Sequence, residues 1–146
     1  SSWIPRSRIG FSLMDIHRPV ADSATLVKMS QRIAETMADV NQGSFKRSVW
    51  TISTSGELSQ HPDVKRPPVT DIEHLYFRTE TQTTAPLGDG RSSLFFVKVD
   101  TYPLVDILAV EEQRQLIVDS INSMSDAILD YKNLREIKKL IVPDSQ

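Results

Sequence analysis

Hydrophobic residues recur at two different periods along this chain, and the switches between them divide it into elements. Leu26, Met29, Ile33, Met37 and Val40 fall every three or four residues, which places them on one face of a helix that begins near Ser23, with Gly43 just beyond its end. From Phe45 the period drops to two. Trp50 and Ile52 then point opposite to Thr51 and Ser53, so Phe45 to Thr54 reads as a strand with one apolar and one polar face. His74 to Thr83 reads as a second strand, with Leu75 and Phe77 on one side and Tyr76, Arg78 and Glu80 on the other. Ser93 to Tyr102 reads as a third, in which Lys98 and Asp100 lie opposite Val97 and Val99. The turn signal Pro86-Leu-Gly-Asp-Gly90 predicts antiparallel pairing of the second and third strands, and Pro103 ends the third.

Helical spacing then returns. Ile117, Ile121, Met124 and Ile128 lead towards Tyr131 behind Glu111 and Glu112, whose charges suit a helix N-terminus. A second helix is expected from Asn133 as its cap, with Glu136 reaching back and Leu134, Ile137 and Ile141 on one side before Pro143. The alternation around Ile9 to Ile16 predicts a short N-terminal strand interrupted by Pro19. Ser55 to Thr70 contains Gly56, Pro62, Pro67 and Pro68, and is expected to be a long exposed connection. The fold class that follows is α+β: one domain over residues 1–146, with an antiparallel meander followed by two C-terminal helices.

Composition narrows the picture. A hydrophobic fraction of 39% with 25% charged residues belongs to a folded chain rather than a disordered one. No apolar run is long enough to cross a bilayer, and the N-terminal stretch with Arg6 and Arg8 lacks a following signal region, so no membrane partner is expected. Without cysteine there are no disulfides or thiolate metal sites. The net charge of −2 argues weakly against general nucleic-acid binding, yet the acids are concentrated after residue 100 and the body before it is nearly balanced.

The sequence carries few residues in a pattern that chemistry requires. His17, His61 and His74 are scattered, with no metal-binding interval, and no phosphate-cradling glycine loop or nucleophile elbow is present. Glu111-Glu112 and Lys138-Lys139 are explained by the helix dipole. The expectation is therefore no catalytic residue, no metal, no cofactor and no enzyme. What remains is a polar strand face carrying Thr51, Ser53, Tyr76, Arg78, Glu80, Lys98 and Asp100, which suits a phosphate backbone with unstacked bases, although such a face is more often simply the solvated side of a sheet. A sheet whose apolar face is wider than one helix, with an unpaired edge, invites dimerisation through a continuous sheet and exchanged helices.

Four segments carry a family resemblance: Phe45-Lys-Arg-Ser-Val-Trp-Thr-Ile-Ser-Thr-Ser55, His74-Leu-Tyr-Phe-Arg-Thr-Glu-Thr81, Leu94-Phe-Phe-Val-Lys-Val-Asp-Thr-Tyr-Pro103, and Val110-Glu-Glu-Gln-Arg-Gln-Leu-Ile-Val118 with the helices behind it. In this order they resemble the coat proteins of the single-stranded RNA bacteriophages, over roughly the last hundred residues. The resemblance implies a homodimer that assembles into an icosahedral shell, in the host cytoplasm and then the virion, with a genomic RNA hairpin held on the inner sheet face. Thr51, Ser53, Tyr76, Arg78, Glu80 and Lys98 would be its RNA contacts, and the turn Ala85 to Ser92 would be the loop whose conformers shape the symmetry axes. Two features depart from that family: the helical pattern from Leu26 to Val40, where its known members have strand and loop, and the longer, proline-rich connection Ser55 to Thr70. The alternative is a non-enzymatic oligomeric module or another phage structural protein without RNA, with a small enzyme whose site forms between subunits a distant third.

Overall fold

The helical spacing of the N-terminal third is realised as α1, Ala24–Ala38, in a computed structural model that describes residues 9–12, 15, 24–61 and 63–142. A single 3-10 turn, Val40–Gln42, follows, with the Asp39 carboxylate accepting from Asn41 N at its start and Gly43 in the left-handed region at φ 69° at its end. Strands β1 (Phe45–Ser53), β2 (Tyr76–Pro86) and β3 (Ser93–Pro103) form a three-stranded antiparallel sheet in the order β1-β2-β3. Four helices complete the chain: α2 (Leu104–Leu108), α3 (Glu111–Asn122), α4 (Asp126–Tyr131) and α5 (Arg135–Ile141). The α+β meander expected from the pattern is what is observed.

Two compact units divide the chain, and each has its own character. The first, built from Trp50–Thr79 and Val99–Gln146, holds the hydrophobic cluster. Ile52 of β1 and Leu75, which directly precedes β2, pack with Leu104, Ile121, Leu134 and Ile137 from the helical part, the last four no more than 2% exposed. Trp50 and Phe77 stack against this cluster with ring centroids 5.6 Å apart, and Leu104 N donates to Leu75 O at 2.8 Å, which ties the start of α2 to the strand.

The second unit, built from Ser2–Val49 and Glu80–Lys98, contains α1 and the hairpin between β2 and β3. Its turn is fixed locally: Asp89 Oδ1 accepts from Arg91 N at 2.9 Å and Ser92 N at 2.7 Å, and Leu87 N donates to Ser92 O at 2.9 Å. Those N–H donors hold the Asp89 carboxyl below the usual carboxylate range. The loop expected to change conformer is thus pinned by its own aspartate.

Several boundaries differ from the sequence reading for identifiable reasons. Ile9 and Gly10 form a turn, and Asp15 is helical with its N–H donating to Ser12 Oγ, so the described part of Ile9 to Ile16 is not a strand; Leu13, Met14 and Ile16 lie outside the described residues. Pro103 closes β3 but also opens α2, a short helix the pattern did not announce, because its fixed φ suits a helix start as well as a strand stop. The long helix expected from Glu111 to Tyr131 breaks after Asn122, where Ser125 Oγ accepts from Ile128 N and caps a new helix.

Asn133 does not cap α5 from its N-terminal side. It adopts φ 55° and ends α4, with Asn133 N donating to Asp130 O and Leu134 N donating to Leu129 O at 2.8 Å. This is the Schellman pattern, completed by the burial of Leu134. Asparagine stands where glycine is commoner because its short polar side chain tolerates the left-handed conformation.

Candidate functional site

Within the second unit α1 presents Met29, Ile33 and Met37 at intervals of four, so the three side chains share one face. They line a cleft of about 380 Å³ together with Phe45, Lys46 and Arg47 of β1, Gln82 and Thr84 of β2, and Phe95 of β3, while Arg32 and Thr36 complete its helical wall. The lining combines aliphatic and aromatic surface, two thioethers and three cations, and contains no carboxylate. Arg47 is held in place: its Nε donates to Gln82 Oε1 at 2.7 Å, and Gln82 Nε2 in turn donates to Glu80 Oε2 at 3.1 Å. Met29, Phe45 and Phe95 remain at least 40% exposed, an unusual cost for residues of this type unless something covers them.

A larger cleft, about 560 Å³, opens in the first unit between Thr54, Ser55, Gly56 and Glu57 on one side and Pro67, Pro68, Thr70, His74 and Tyr76 on the other. His74 Nδ1 lies 2.7 Å from Asp71 Oδ1, which also accepts from His74 N at 3.1 Å; this arrangement fixes the ring and lowers the Asp71 pKa. Gly56 packs against the Tyr76 ring so closely that a Cβ there would stand 2.8 Å from Tyr76 Cε1. The walls are polar or proline, without the broad apolar faces of the first cleft.

A protein-family profile described as haem-dependent oxidative N-demethylase, alpha subunit-like, matches residues 1–142. The chain belongs to this family. No curated protein matches it. The match overturns the resemblance to phage coat proteins, and with it the capsid function, the virion location and the expectation of a chain without enzymatic affiliation; the alternative of a non-enzymatic structural module falls as well. The α1 helix, foreign to the coat proteins, was the feature in the sequence that already pointed away from them.

The residues expected to form an RNA face are dispersed in this N-demethylase-family chain. Arg78 is 2% exposed and Ser53 5%, so two of the six are interior. Thr51, Tyr76 and Glu80 are half-buried, and Lys98 alone is exposed. Glu80 supports the Gln82–Arg47 contact, Tyr76 lines the His74 cleft, and Thr51 and Ser53 border a third cavity beside Lys132. Strand alternation alone cannot tell a solvated position from a covered one.

The family description names haem, and the first cleft suits that group better than the second. Haem has two apolar faces, an iron that accepts thioether or imidazole ligands, and carboxylates that cations bind. Ile33, Phe45 and Phe95 supply apolar and aromatic surface, Met29 and Met37 supply sulfur, and Arg32, Lys46 and Arg47 supply positive charge without an opposing acid in the lining. The His74 cleft offers an oriented imidazole, yet it has little apolar wall and carries Glu57 where cations would be needed. Among the described residues no group of histidine, aspartate and glutamate could hold a metal ion on its own. The sequence signal for the first cleft was present in two methionines and an arginine at helical spacing together with the paired Phe95 and Phe96, although core packing accounts for such a pattern more often.

Proposed function

We propose that this chain binds haem in the cleft formed by α1 and the ends of the three strands, and serves the oxidative removal of N-methyl groups that its family description names. The donor set of that cleft carries the reading: thioethers, aromatic rings and three cations with no carboxylate among them. Arg32, Lys46 and Arg47 would bind the haem carboxylates, with the Arg47 guanidinium oriented in advance by Gln82. Ile33, Phe45 and Phe95 would cover the macrocycle and exclude water, and Met29 or Met37 would be the sulfur donor for the iron. Haem bound there would supply the redox centre at which an N-methyl carbon is oxidised.

Titration of the purified protein with haemin, followed by ultraviolet-visible absorption, tests this. A saturable one-to-one spectral change is expected, weakened in R32A and R47A and altered in line shape by M29L and M37L. An absence of binding would sink the proposal. A spectrum indifferent to all four substitutions but abolished by H74A would move the cofactor to the His74 cleft.

The expected pairing of two chains through a continuous sheet stands as a separate proposal. β3 is an outer strand of the described sheet and carries Leu94 and Phe96, 45% and 55% exposed, along an edge that the same strand of a second copy could meet. Sedimentation velocity over a range of concentrations decides it: a monomer throughout would rule the pairing out.

A further inference from the structure

A third cavity, about 310 Å³, lies within the first unit and has a role in neither reading above. Its lining includes Lys132, Arg66, Thr51, Ser53, Gln60 and Asn133, and it contains no aspartate or glutamate. We propose that this cavity is a binding site for an oxyanion, the phosphate or carboxylate group of a small ligand, held by Lys132 and Arg66 with hydroxyl and amide donors around them.

Lys132 is the decisive group. It follows α4 directly and extends over the Trp50 ring, with Nζ 5.0 Å from the ring centroid and donating to Trp50 O at 2.6 Å. One ammonium proton is therefore committed to a carbonyl, and the indole covers a second side of the group. The remaining donor capacity has no carboxylate to meet in the cavity. A half-buried cation with only a neutral oxygen and a ring for company retains an uncompensated charge, and an anion is the ligand that compensates it. Burial also holds the Lys132 ammonium below the usual lysine range, a displacement that a bound anion would reverse. Arg66 adds a planar guanidinium whose contact to Gln60 O is long, 3.5 Å, and easily exchanged for an oxyanion. Thr51 and Ser53, the hydroxyl pair of the polar strand face, border the same cavity and offer two O–H donors.

Thermal unfolding of the full chain in inorganic phosphate, in acetate, and in sodium chloride of equal ionic strength tests the site. A saturable rise in Tm with phosphate or acetate, absent in chloride, is expected, and the stronger of the two identifies the tetrahedral or planar group as the preferred one. K132M is expected to weaken the effect about tenfold or more, as the loss of a charge-assisted hydrogen bond requires. R66Q, an exposed position whose replacement leaves the core intact, is expected to weaken it as well, and it keeps the test decisive if K132M fails to fold. K28Q, an exposed position in the other unit that lines none of the three cavities, should leave it unchanged. No stabilisation by either anion, or a stabilisation that survives both R66Q and K132M, overturns the proposal.

Discussion

The two units of this chain use their hydrophobic residues differently. In the first, a cluster of leucines and isoleucines from β1, the residue before β2 and the helices packs together at no more than 5% exposure, with Leu104, Ile121 and Leu134 at 0%, while Leu58 and Leu116 stay on the surface. In the second, Met29, Val40, Phe45, Leu87, Leu94, Phe95 and Phe96 all remain at least 40% exposed, and among the described residues only Ala38 counts as buried apolar surface. The first unit holds a buried apolar cluster that stabilises it, whereas the described part of the second buries little and displays most of its large apolar side chains. That contrast is why the ligand cleft is placed in the second unit although the first holds the larger cleft.

The contrast can be broken most severely from the core. I121A removes a fully buried side chain and is expected to cost about 2–5 kcal/mol in urea unfolding. A cost below that range would mean that the first unit is not the stabilising one. G56A drives a methyl group into the Tyr76 ring and is expected to cost roughly 1–3 kcal/mol, read by the same transition. N133A removes the short polar side chain that makes φ 55° tolerable and is expected to cost roughly 0.5–1 kcal/mol, while N133G is neutral or stabilising. F95A, on the displayed surface, should change stability by no more than about 0.5 kcal/mol while weakening haemin binding. A large folding defect in F95A would erase the distinction between the units.

The smallest effect is electrostatic. Arg135 grips Asp130 with two bonds, Nε to Oδ1 at 2.7 Å and Nη2 to Oδ2 at 2.9 Å, and this holds the Asp130 carboxyl below its ordinary 3.8. A carboxyl depressed in the folded state stabilises above its unfolded pKa, and that contribution is lost as pH falls through the folded value. Solvent screens so exposed a pair, so R135M should flatten the acid limb of the stability curve below about pH 4 only slightly, leaving neutral pH nearly untouched.

Much of the backbone was legible because it follows period and punctuation. The spacing of Met29, Ile33 and Met37 marked α1, the alternation at Trp50 to Ser53 marked β1, and the glycines of Pro86 to Gly90 marked the hairpin. The reading failed where one residue serves two purposes. Pro103 both stops a strand and starts a helix, and Asn133 can cap a helix from either side. The site was less legible than the fold, since a polar face on alternate residues looks the same whether it meets solvent or lies covered. Arg78, the cation chosen for a phosphate, is interior. Met29 and Met37, expected on one helix face, do share it, and that face lines an open cleft.

The run Leu94-Phe-Phe-Val97 has a practical consequence beyond ligand binding. It occupies an outer strand of the described sheet, and its first three side chains are 45%, 53% and 55% exposed. Such a strand is a template for cross-β stacking, with no proline or charge inside the run to act as gatekeeper. Colloidal behaviour therefore becomes a readout of occupancy. Preparations in which this strand is covered should stay clear on concentration, and those in which it is bare should scatter light.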